Sequence, residues 1–193
     1  MADSWAAITD EEQIRMRSQN PELTVEQDVD ETLVTLLPTG GISGNREAKA
    51  VAYLLNWVES HDLGEVFGRG TGFRLENEAE PSSYGVTLLT PDAAFVAKER
   101  LPEGWDKGED TFLNLAPDFV IEICSQTDDL EAIKAKMQEA VSKGVRLGWV
   151  IDRENQQAFV YRADGLITQY PATAILKGED VVPGFKLALK YLL

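Results

Sequence analysis

Glu122 stands inside the run Phe119-Val120-Ile121-Glu122-Ile123-Cys124, whose other five residues belong in an apolar interior. A carboxylate there is expensive unless a cation, a metal ion or several hydrogen-bond donors meet it. Strand alternation puts Asp118, Val120, Glu122 and Cys124 on one face and Phe119, Ile121 and Ile123 on the other. Asp118 is four residues away, roughly 13 Å along an extended chain, too far to share an ion with Glu122. Asp92 is the better partner, because it follows Pro91 at the head of a second apolar run, Ala93-Ala94-Phe95-Val96. Taken alone, Glu122 reads as half of a structural ion pair or as part of an exposed sheet face. With Asp92 across a strand pair, two carboxylates completed by water form an oxygen-rich site suited to Mg²⁺ or Mn²⁺.

Two further charged residues fall on apolar helix faces. Glu47 shares a stripe with Val51, Leu54, Leu55 and Val58, where it can meet the helix dipole or face a metal or water inside. Lys136 lies between Ile133 and Ala140, so its stem can pack while its ammonium snorkels to solvent or reaches the sheet. An ammonium beside Asp92 and Glu122 can orient a water or offset phosphoryl charge. Other residues read as structural. His61 follows a helix end, Cys124 lines a core, and Trp57 and Trp149 are packing anchors. The run Phe67-Gly68-Arg69-Gly70-Thr71-Gly72-Phe73 lacks the Gly-Lys-Ser/Thr ending of a phosphate loop and reads as a bent strand or bulge.

The elements that position these residues follow from periodicity. After Pro38-Thr39-Gly40-Gly41, Asn45 can cap a helix running to about Ser60, with Ala48, Val51, Ala52, Leu54, Leu55 and Val58 inward. Strands are expected over 64–76, 84–97 and 112–124, then a helix over 128–143 stopped by Gly144. Further strands follow over 147–152, 157–162 and 166–170. This order predicts an α/β domain with a mixed central sheet flanked by helices, the 128–143 helix making a right-handed parallel crossover. Residues 1–38 form an acidic, peripheral N-terminal arm with helical composition up to Pro21, and residues 39–193 form the domain.

Composition bounds the function. The 193 residues carry 18 Lys plus Arg against 33 Asp plus Glu, a net charge of −15, which argues against indiscriminate attraction to nucleic acid. The imbalance is local. Residues 1–31 hold nine acids and two bases, whereas Lys134, Lys136, Lys143 and Arg146 meet only Glu139 between them, so a positive surface can exist. A single cysteine excludes an internal disulfide and fits a reducing, cytoplasmic setting, and no apolar run reaches membrane-spanning length.

Three ordered motifs carry a family resemblance. Thr90-Pro91-Asp92-Ala93-Ala94-Phe95-Val96, Ala116-Pro117-Asp118-Phe119-Val120-Ile121-Glu122-Ile123-Cys124-Ser125, and Lys136 followed by Gly144-Val145 and Gly148-Trp149-Val150-Ile151-Asp152 resemble the Uma-type family of restriction endonucleases. The resemblance spans about residues 40–162 and implies a compact restriction-endonuclease-like fold of the PD-(D/E)xK nuclease superfamily. It implies Asp92 and Glu122 as metal ligands, Glu47 as an auxiliary helix acid and Lys136 as the catalytic lysine. The common motif places that lysine two residues after the second acid, where this chain has Cys124, and the family's frequent aromatic residue four positions after the helix lysine is Ala140. The implied activity is Mg²⁺- or Mn²⁺-dependent hydrolysis of DNA phosphodiesters, and because recognition of duplex DNA commonly uses a symmetric dimer, a cytoplasmic homodimer is expected although no motif encodes it. The competing expectation is a catalytically silent nuclease fold that binds a protein or nucleic acid.

Overall fold

The structure is a computed structural model that describes residues 40–75, 87–107, 111–125 and 128–193, with the strand backbones of 24–27 and 33–36. The helical stretch expected before Pro21 lies outside the described residues. Twelve strands and two α-helices are present among those described: β1 (Thr24–Gln27), β2 (Leu33–Leu36), α1 (Gly41–Ser60), β3 (Gly64–Gly68), β4 (Phe73–Leu75), β5 (Thr87–Leu89), β6 (Ala93–Ala97), β7 (Phe119–Cys124), α2 (Leu130–Ser142), β8 (Leu147–Asp152), β9 (Gln157–Arg162), β10 (Ile167–Pro171), β11 (Ile175–Lys177) and β12 (Lys186–Ala188). Six strands form a central mixed sheet in the order β10-β9-β8-β7-β6-β3. Only β7 and β8 run parallel, joined through α2, as the crossover pattern requires. A second sheet has the order β2-β1-β5-β4, and β11 pairs with β12. The stretch read as an arm therefore contributes two strands, with Gln27 opposite Leu88.

Several local expectations change. Helix α1 begins at Gly41 rather than at Asn45, with Gly40 as its N-cap and no capping side chain. Tertiary contacts hold that early turn: Ser43 is buried and its hydroxyl accepts from Arg153 Nη1 at 2.8 Å. The inward residues of α1 are Ala50, Leu54 and Val58, while Ala48 and Ala52 face outward. The 64–76 segment is two strands, because Gly68–Thr71 closes a turn (Thr71 N–H to Gly68 O, 3.2 Å) with Gly70 at φ +94°. The 84–97 segment likewise splits at Thr90-Pro91-Asp92, and the 112–124 segment forms a strand only from Phe119.

Both faces of the sheet are covered. Phe119, Ile121 and Ile123 pack with Leu147, Trp149 and Ile151 against α1 and the C-terminal residues Phe185, Leu189 and Leu192. Val120 and Cys124 pack on the other side with Val150, Met137 and Ala140 of α2. All six residues of β7 are buried, as expected of a central strand with both faces covered. Trp149 is fully buried, with its ring centroid 4.8 Å from Phe119 and 5.9 Å from Phe185, so it is a core anchor.

Helix α2 starts at Asp129, whose carboxylate accepts from Glu131 N at 3.0 Å. It lies close over β8 because Gly148 leaves the space that Met137 occupies: a Cβ at Gly148 would collide with the Met137 sulfur. Gly148→Val should therefore lift α2 and destabilise the protein by about 1–3 kcal/mol, read from urea unfolding. Met137→Ala in the same background should recover part of that loss, because it removes the colliding side chain.

Candidate active site

The pairing of β6 and β7 sets the two acids together. Ala93 lies opposite Ile121, so one residue further on Asp92 comes opposite Glu122. Ile123 N–H donates to Asp92 Oδ2 at 2.8 Å, tying the Asp92 carboxyl to the backbone beside Glu122. This is the cross-strand placement expected from the sequence, reached through the long 98–118 connection. Asp118, at the opposite end of β7, is fully buried against Arg100 (2.8 Å) and Arg146 (3.3 Å) and takes Ala97 N–H at 2.9 Å. Its role is to anchor the entry to β7.

Glu122 keeps 7% of its surface exposed, and its compensation comes from α2. Lys136 Nζ lies 3.1 Å from Glu122 Oε1, an ionic contact rather than a directed hydrogen bond. The amine thus reaches inward, its stem following the Met137 and Ala140 face of α2. Glu47 enters from the second turn of α1, too far along the helix for first-turn dipole stabilisation to be its main partner. It pairs instead with Arg69, whose Nη1 stands 3.0 and 3.2 Å from its two oxygens.

Arg69 is the charged residue that the sequence reading left out of the site. It was visible as the only base in the glycine-rich run, but the partner 22 positions away is brought to it only by the β3–β4 turn.

Asp92 feels Glu47, Lys136 and Arg69. Burial pushes its pKa up to about 6, backbone donation from Ile123 opposes the rise, Glu47 adds to it, and Lys136 and Arg69 oppose it. Cys124, in the position where the nuclease motif has lysine, is pushed up to about 12 by burial and then by Glu122, Asp128, Asp152 and Asp92. It remains a neutral thiol, so it supplies no positive charge and the countercharge of Glu122 comes from Lys136. Asp152 is separate: burial raises its pKa, but hydrogen bonds from Gln157 and Asn155, helped by Lys134, outweigh burial and hold it below the ordinary range.

Among the described residues, no group of three or more His, Cys, Asp or Glu side chains is arranged to hold a metal ion. The donor set nevertheless suits a hard cation that keeps several waters. Asp92 and Glu122 are oxygen donors in cross-strand register, and the raised pKa of Asp92 shows that its charge is incompletely compensated by the protein.

The fold is that of a restriction-endonuclease-like α/β protein. A family model described as "Putative restriction endonuclease" (Uma2) matches residues 10–190, and the chain belongs to that family. A solved structure from Anabaena variabilis, titled as a "putative nuclease belonging to DUF820", is similar with a TM-score of 0.76 at 19% identity, covering 96% of this chain and 97% of that chain. No curated protein matches the chain. No helix among the described residues is long and apolar enough to cross a membrane.

The raised Asp92 pKa has a stability consequence. Between about pH 4, the ordinary carboxylate value, and about 6, the folded chain holds a proton that the unfolded chain releases. The contribution of Asp92 to stability is therefore fully present below about pH 4 and lost as pH rises through about 6. In chelator, Asp92→Asn should gain on the wild type across this window, by on the order of 2 kcal/mol at neutral pH. Unfolding followed by circular dichroism at stepped pH measures the difference, and a gap that does not change with pH would contradict the assignment.

Proposed function

We propose that this protein is an Mg²⁺-dependent (or Mn²⁺-dependent) endonuclease that hydrolyses DNA phosphodiester bonds, with Asp92 and Glu122 holding the metal ion and Glu47 and Lys136 completing the catalytic set. The observation that carries the reading is the cross-strand register of Asp92 and Glu122, with the Lys136 amine 3.1 Å from Glu122. Membership of the Uma2 family supports a nuclease, and DNA is the substrate this implies.

When bound, the metal ion supplies Lewis-acid polarisation of a phosphoryl oxygen and lowers the pKa of a coordinated water. The chain does the rest. Asp92 is held through one carboxylate oxygen by Ile123 N–H, and its second oxygen would take the ion. Lys136 stands beside Glu122, where its ammonium offsets charge accumulating on the phosphoryl oxygens. Glu47, held by Arg69, offers a carboxylate oxygen that can accept from a water and orient it. We further propose a homodimer, in keeping with the two-fold symmetry of duplex DNA, acting in the cytoplasm, where the lone buried Cys124 stays reduced.

Asp92→Ala and Glu122→Ala should each reduce metal-dependent nicking of supercoiled plasmid by at least about a hundredfold while leaving the circular dichroism spectrum unchanged, and Lys136→Ala should lower both cleavage and stability because it strips buried Glu122 of its countercharge. Retained cleavage in a folded Asp92→Ala or Glu122→Ala protein would reject the mechanism. A wild type that binds no Mg²⁺ or Mn²⁺ in calorimetry would instead identify a silent nuclease fold. At subsaturating Mg²⁺, the wild-type rate should fall as the pH drops through about 6, because protonated Asp92 no longer attracts the ion.

A further inference from the structure

The proposed catalytic set of Glu47, Asp92, Glu122 and Lys136 has a charge problem that Arg69 solves. Its three carboxylates face one cation, Lys136, so a divalent ion would bring the set to neutrality and leave no attraction for an anionic substrate. Arg69 lies against Glu47 and its charge acts on Asp92, so it belongs to the same electrostatic unit. With Arg69 included, the ion-filled site carries one positive charge, which one phosphodiester neutralises.

The geometry suits that role. Arg69 is more exposed than its acid partner, at 28% against 13% of side-chain surface, so solvent reaches its side chain more readily than that of Glu47. One nitrogen, Nη1, makes both hydrogen bonds to Glu47, leaving the remaining edge of the planar fork for a second anion. The turn that carries it is built on glycine. Gly70 takes φ +94°, and a Cβ at Gly72 would come within 2.5 Å of the Phe112 ring.

We propose that Arg69 is the phosphate-binding residue of this site: held on Glu47 while no divalent ion is present, it would take the non-bridging oxygens of a DNA phosphodiester when Asp92 and Glu122 hold an ion. The proposal rests on the nuclease reading above, and its test separates the two. Fluorescence anisotropy of a short labelled DNA duplex is measured with Ca²⁺ across a salt series for the wild type, Arg69→Gln, Arg69→Lys and Glu47→Gln, with thermal unfolding as the check on folding.

Arg69→Gln should weaken ion-dependent binding roughly tenfold or more and lower the salt slope by about one. Arg69→Lys should keep the salt slope, and Glu47→Gln, which releases Arg69 from its partner, should tighten binding. A purely structural pair would move Arg69→Gln and Glu47→Gln in the same direction, and that result, or unchanged binding in folded Arg69→Gln, would overturn the proposal. Failure of the wild type itself to bind duplex would overturn the nuclease reading and this inference with it.

Discussion

The structure depends on how one carboxylate is tolerated in a strand covered on both sides. Glu122 sits among the buried residues of β7, where desolvation strongly disfavours a charge. The next same-face position along β7 offers it no cation, because the residue two places on is the neutral thiol Cys124. The positive charge must then come from a separate element, and Lys136 of α2 supplies it at 3.1 Å. That requirement fixes how closely α2 approaches, which Gly148 permits by leaving room for Met137. A packing detail and an electrostatic need are thus met by the same helix placement.

Much of this was legible in the chain because it was written in periodicity. The apolar run around Glu122, the proline before Asp92 and the inward spacing of Lys136 each follow from local pattern. The structure brings all three to one place, with β8 and β9 at the expected limits of 147–152 and 157–162. The parallel crossover was legible for the same reason, since an amphipathic helix between two apolar strands has few ways to cover a sheet.

The remainder depended on contacts that no local pattern records. Asn45 offered a plausible cap, yet α1 starts four residues earlier, where buried Ser43 meets Arg153 across 110 residues. The hairpin of β11 and β12 has strands of three residues, too short for alternation to show. Arg69 was visible but its partner was not: glycine spacing suggested an irregular strand, whereas the chain turns there and delivers a guanidinium to Glu47.

That turn has one more consequence. β3 is the edge strand of the central sheet and β4 is the edge strand of the second sheet, so the residues between them form a joint between two β-layers. Arg69 sits on the joint and grips α1 through Glu47, fastening it like a latch. Loss of Arg69 would therefore untie three elements at once, the helix and the two strands that flank the turn.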